Sequence, residues 1–118
     1  MKNYWLPTEQ QRTLILPVLH QYNDFIRTYW KDCDENNALK YTELNFTNWS
    51  INPAQLEILF KEIGYETIYH DHSGWECNFS ICMKPKDGAE LAFGEKCIII
   101  SGCAMTFELK VNVQGVDF

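Results

Sequence analysis

Cys103-Ala104-Met105-Thr106-Phe107-Glu108-Leu109-Lys110-Val111-Asn112-Val113 is the stretch whose period decides the fold. Met105, Phe107, Leu109, Val111 and Val113 alternate with Thr106, Glu108, Lys110 and Asn112. Successive side chains of an extended chain point to opposite faces, so the segment reads as a half-buried strand with one apolar and one polar side. Just before it, Cys97-Ile98-Ile99-Ile100 is a run dominated by β-branched residues, the pattern of a strand covered on both faces. Ser101-Gly102 between the two reads as the turn of a hairpin.

Upstream, the same period of two returns. Trp75, Cys77, Phe79, Ile81 and Met83 form the inward set of a long strand, with Glu76, Asn78 and Ser80 facing out. Tyr65 to Asp71 reads as its partner, joined by a turn at His72-Ser73-Gly74. Pro85 and Asp87-Gly88 end the long strand, and Glu90 to Phe93 suggests a short further one that stops at Gly94. These pieces make a meander.

Helical spacing dominates the first half. Thr8 and Gln11 have the form of a capping box after Pro7. Leu14, Val18, Tyr22, Phe25 and Tyr29, with Ile15, Leu19, Ile26 and Trp30 beside them, give a broad apolar face. Pro17 lacks an amide donor, so the helix is expected either to kink there or to divide into two. Asp32 to Asn37 is a polar loop, and Leu39, Tyr41, Phe46, Trp49 and Ile51 suggest one or two strands interrupted by a bulge or short loop. Asn52-Pro53-Ala54-Gln55 is a strong helix start, Leu56, Leu59, Phe60 and Ile63 its buried stripe, and Gly64 its left-handed stop. Glu57, Lys61 and Glu62 fall on the opposite face and are expected in solvent, with Glu57 and Lys61 at favourable i,i+4 spacing.

The expectation is a single α+β domain spanning 1–118, with two or three N-terminal-half helices on one face of a largely antiparallel five- or six-stranded sheet. A sheet curved around the helices to enclose a pocket is the alternative. In that case the chain binds or acts on a small molecule, with Tyr22, His70 or Asn112 among the convergent polar groups.

Composition narrows the function. The chain has 118 residues, 46% hydrophobic and 14% aromatic, enough to bury a core without disulfides or a structural metal. Its five cysteines lack CxxC spacing and read as reduced, mostly buried thiols. The first residues lack the apolar region of a signal peptide, and no apolar run approaches the length of a membrane span, so a cytoplasmic protein is expected. Net charge is −6, and beyond residue 31 fourteen carboxylates face six lysines. Such a surface repels phosphate backbones and anionic lipid, which argues against nucleic acid and membrane as partners and for a basic protein.

Chemical motifs are sparse. His70-Asp71-His72 places two imidazoles at i and i+2, the spacing with which a strand shares a metal ion, and Glu76, Cys77 or Asp71 would complete the set. The plainer reading is a polar hairpin end, and neither a metal nor a cofactor is expected. Cys97 and Cys103 sit in the most apolar hairpin, where a thiolate is disfavoured, and Cys33 lies among acids that raise its pKa, so no catalytic cysteine is assigned. The glycines are scattered singly, and neither GxSxG nor HExxH occurs. Catalytic residues are therefore expected to be absent.

What stands out is a small acidic chain with many aromatics, among them Tyr69 beside acids, a setting typical of interface anchors. In size, acidity, aromatic content and lack of motifs it resembles bacterial immunity proteins, a likeness of profile that no motif carries. The resemblance implies a non-enzymatic inhibitor that neutralises a basic toxin domain, a nuclease for example, by stoichiometric binding. The partner-binding candidates are Asp32, Asp34 and Glu35, together with Glu62, Glu66, Tyr69, Asp71 and Glu76, the acids replacing substrate phosphates and the aromatic filling the cleft.

Overall fold

The chain was analysed as a computed structural model, which describes residues 6–32, 43–73, 78–87 and 97–114. Its elements run α1 (Glu9–Asp32), β1 (Leu44–Asn45), α2 (Pro53–Glu62), β2 (Tyr65–Ser73), β3 (Asn78–Pro85), β4 (Cys97–Cys103) and β5 (Glu108–Gln114). The strands form one antiparallel sheet in the order β1-β5-β4-β3-β2. Both helices pack into a single core with the inner side of that sheet. No helix among the described residues is long and apolar enough to cross a membrane.

Each helix starts where its cap residues dictate. The Gln11 amide donates to Thr8 Oγ1 at 3.1 Å and the Thr8 amide to Gln11 Oε1 at 2.8 Å. Likewise the Gln55 amide donates to Asn52 Oδ1 at 2.8 Å and the Asn52 amide to Gln55 Oε1 at 3.0 Å. These reciprocal bonds satisfy amides that the first helical turn leaves without partners. The two caps are also tied together, because the Gln11 side chain donates to the Ser50 carbonyl and to Gln55 Oε1. Pro17 neither stops nor divides α1. It lies on the exposed side, where the carbonyl that loses its donor is open to water.

The core forms where faces meet. From α1 come Ile15, Leu19, Tyr22 and Ile26, and from α2 come Leu56, Leu59 and Phe60, all buried. The α1 stripe therefore sits about one residue round from the expected one, and Leu14 and Phe25 are 57% and 49% exposed. From the sheet, the rows Met83-Ile98-Val113 and Ile81-Ile100-Val111-Leu44 face the helices. Each fully buried side chain of this kind contributes roughly 1.5–3 kcal/mol relative to exposure. Gly64, at φ +100°, reverses the chain after α2 as its position suggests, and its carbonyl accepts from the Lys86 amide at 2.7 Å.

The hairpin at the centre of the sequence argument differs from its expected form. Ser101 and Gly102 are not the turn: they belong to β4 and pair with Lys110 and Leu109. The turn is Ala104–Phe107, so Met105 and Phe107 leave the inward set and stand 70% and 80% exposed. Alternation persisted through these residues, but hairpin closure at Cys103 and Glu108 overrides it. Gly102 is required by close approach: a Cβ there would lie 2.0 Å from the Glu108 carbonyl oxygen and 2.7 Å from Phe79 Cζ. Similarly His72 and Ser73 extend β2 and pair with Phe79 and Asn78 instead of turning. The expected strand at 90–93, and Trp75 and Cys77 in the inward set, lie outside the described residues.

Because the Gly102 clash is with backbone, it cannot be relieved by a rotamer change. Gly102→Ala should lose about 3 kcal/mol of unfolding free energy in urea, and a loss below about 1 kcal/mol would contradict the close approach.

Candidate functional site

β2 is the last strand of the sheet among the described residues, and it carries a bulge. Thr67 pairs with Met83 and Tyr69 with Cys82, leaving Ile68 without a cross-strand partner. An extra residue shifts the phase of everything after it. Thr67 and His70, an odd number apart, thereby share the helix-facing side, opposite Met83 and Ile81. Glu66, Tyr69 and Asp71 share the outer side, opposite Lys84, Cys82 and Ser80.

On the inner side the bulged strand meets Glu57 of α2. Glu57 was expected in solvent, but it is buried, because α2 rolls Leu56, Leu59 and Phe60 onto the core and carries Glu57 down against β2. Its Oε2 accepts a hydrogen bond from the Thr67 hydroxyl and another, at 2.8 Å, from His70 Nε2, with Lys61 Nζ at 3.9 Å. Burial pushes the Glu57 carboxyl up, but the Thr67 and His70 hydrogen bonds and the charges of His70 and Lys61 outweigh it, and the net shift is downward. An ionised carboxylate only accepts, so the proton of this contact sits on His70 Nε2.

The outer side is open. Tyr69 is 49% exposed and Ile68 37%, with Glu66 and Asp71 at either end. Glu66 lies 3.6 Å from Lys84 across the strand pair, an exposed contact worth at most about 1 kcal/mol. Electrostatic interaction with Cys82, then burial and a hydrogen bond to Cys82, raise the Tyr69 phenol above its ordinary 10.0, so it is a neutral hydroxyl near neutral pH.

The other sequence candidates separate. Glu62 is bound by Arg12, with Nη2 3.0 Å and Nε 3.1 Å from its carboxylate, and this pair joins the start of α1 to the end of α2. Asp32 closes α1, while Asp34, Glu35 and Glu76 lie outside the described residues. His72 follows on β2, paired through its backbone with Phe79. Among the described residues no three His, Cys, Asp or Glu side chains are placed to share a metal ion. Of the polar groups named for a pocket, Tyr22 is buried on α1, His70 lies on the helix side of β2, and Asn112, which alternates with core Val111, belongs to the outer face. Cys82 and Cys97 are buried and Cys103 is partly exposed.

Sequence reasoning missed Glu57, Thr67 and Ile68. Glu57 lay behind its i,i+4 lysine, and the bulge has no signature in β2 alone. The chain matches no protein-family model, no curated protein and no solved structure.

A carboxyl whose folded pKa is lowered contributes stability above its ordinary value of 4.5 and loses it as pH falls through the lowered one. Glu57→Gln should therefore cost about 2 kcal/mol at pH 7. Its deficit against the natural chain should shrink steadily as the pH of a urea titration drops below 4.5; a deficit independent of pH would remove the carboxylate from the account.

Proposed function

We propose that this protein works by stoichiometric, non-catalytic binding to a basic protein, and that the outer side of β2 is the contact surface. The observation that carries the reading is the bulge, which brings Glu66, Tyr69 and Asp71 to one side of an edge strand with Ile68 exposed beside them. A half-exposed aromatic next to an aliphatic residue, flanked by carboxylates, has the make-up of an interface centre with a charged rim. The net charge of −6 adds long-range attraction for a basic surface. Within this class the narrower proposal is inhibition of a basic toxin domain, in the manner of an immunity protein, with carboxylates standing in for the phosphates of the toxin's substrate.

The tagged protein should retain one basic protein from its source cells, and the purified pair should bind at nanomolar affinity, about −12 kcal/mol. Tyr69→Ala should weaken that binding by about 2 kcal/mol or more. Glu66→Lys with Asp71→Lys should slow association and flatten its dependence on salt, measured by stopped flow. A tight partner indifferent to all three substitutions would refute the assignment of the surface.

A further inference from the structure

We propose that the β4–β5 turn is a second anchor on the same partner, with Met105 and Phe107 entering an apolar pocket rimmed by basic side chains. This rests on the partner-binding reading above. Three observations converge on the turn. Met105 and Phe107 are the most exposed large apolar side chains among the described residues, at 70% and 80%. Phe107 also has φ +54°, the one non-glycine residue with positive φ among them. The left-handed region crowds the Cβ of an ordinary residue, and glycine or asparagine would occupy it at lower cost. A bulky aromatic held there, and gaining no burial from the fold, matches the pattern in which local strain is kept for function.

The base of the turn is closely packed. It is closed by the Cys103 and Glu108 pair, and Gly102 packs without clearance against the Glu108 carbonyl and the Phe79 ring. Across the turn the Cys103 side chain interacts with the side chain and backbone of Thr106. A projection held at its base loses less freedom on binding, which favours affinity.

Position and charge select the occupant. The outer-face row Asn78-Cys103-Glu108 lies at the end of the sheet from which the turn projects. Two strand spacings and four residues of rise separate Cys103 from Tyr69, roughly 16 Å. That lies within one interface patch of about 800 Å². Glu108 follows Phe107 directly and is exposed, so the apolar tip is bordered by a carboxylate. An anionic bilayer repels such a tip, whereas a basic protein attracts it.

The test uses the full chain and the purified partner that it captures, titrated against the natural protein, Phe107→Asn and Tyr69→Ala, with a thermal midpoint for each. Phe107→Asn should raise the midpoint by about 2 to 4 °C and weaken binding about thirtyfold or more. A more stable chain that binds worse excludes misfolding as the cause. Phe107→Asn binding within about threefold of the natural chain while Tyr69→Ala binds poorly would overturn the anchor and leave the partner-binding reading intact. A lowered midpoint would overturn it by showing that Phe107 supports the fold. Retention of no stoichiometric protein would overturn both readings. Phe107-dependent sedimentation with phosphatidylcholine vesicles would overturn the protein occupant in favour of a membrane.

Discussion

One buried carboxylate holds β2, the last strand of the sheet among the described residues, in place. Glu57 accepts from Thr67 and His70 on β2 while its own helix is committed elsewhere, with Leu56, Leu59 and Phe60 buried in the core. Burying a carboxylate is costly unless hydrogen-bond donors compensate it, and here donors come from the strand the helix must hold. The arrangement works in both directions. Thr67 and His70 face Glu57 together only because Ile68 is bulged, and the bulged register is favoured because it satisfies Glu57.

The placement of α2 precedes all of this. Its cap is joined to that of α1 through Gln11 and Gln55, and its last turn to the start of α1 through Glu62 and Arg12. With both ends tied and one stripe buried, the helix is held with Glu57 turned against β2. Two further polar links, from Tyr65 Oη to Asn23 Oδ1 at 2.6 Å and from Arg27 to Asp87, fasten the first residue of β2 and the turn just after β3 to α1. The same bulge that serves Glu57 on one side aligns Glu66, Tyr69 and Asp71 on the other. Bulges and charges on an edge also discourage pairing with another strand, so the edge can present side chains without recruiting a second sheet.

Much of this was legible in residue order, and the failures share a cause. Caps are local, so Thr8 with Gln11 and Asn52 with Gln55 could be read directly, as could Gly64 at the end of α2. The α+β class followed from the change of period at Tyr65. Turn position and strand phase are set by the partner strand. Alternation from Met105 to Val113 could not reveal that closure at Cys103 and Glu108 puts Met105 and Phe107 in the turn. For the same reason Ile68 gave no sign of its bulge, and Glu57 looked like an ordinary surface acid beside Lys61. Of the residues singled out as partner contacts, Glu66, Tyr69 and Asp71 fall on one surface, though a regular strand would have put Glu66 and Asp71 on opposite sides.

Native-state amide hydrogen exchange, comparing the natural chain with Glu57→Gln, tests the central claim most directly. If Glu57 holds the edge, the amides of β2 that bond to β3 should exchange about tenfold faster or more in the variant, equivalent to about 1.4 kcal/mol, and lose at least as much protection as those between β4 and β5, which fall only with global stability. Unchanged protection in β2, or a loss confined to the other strands, would contradict it.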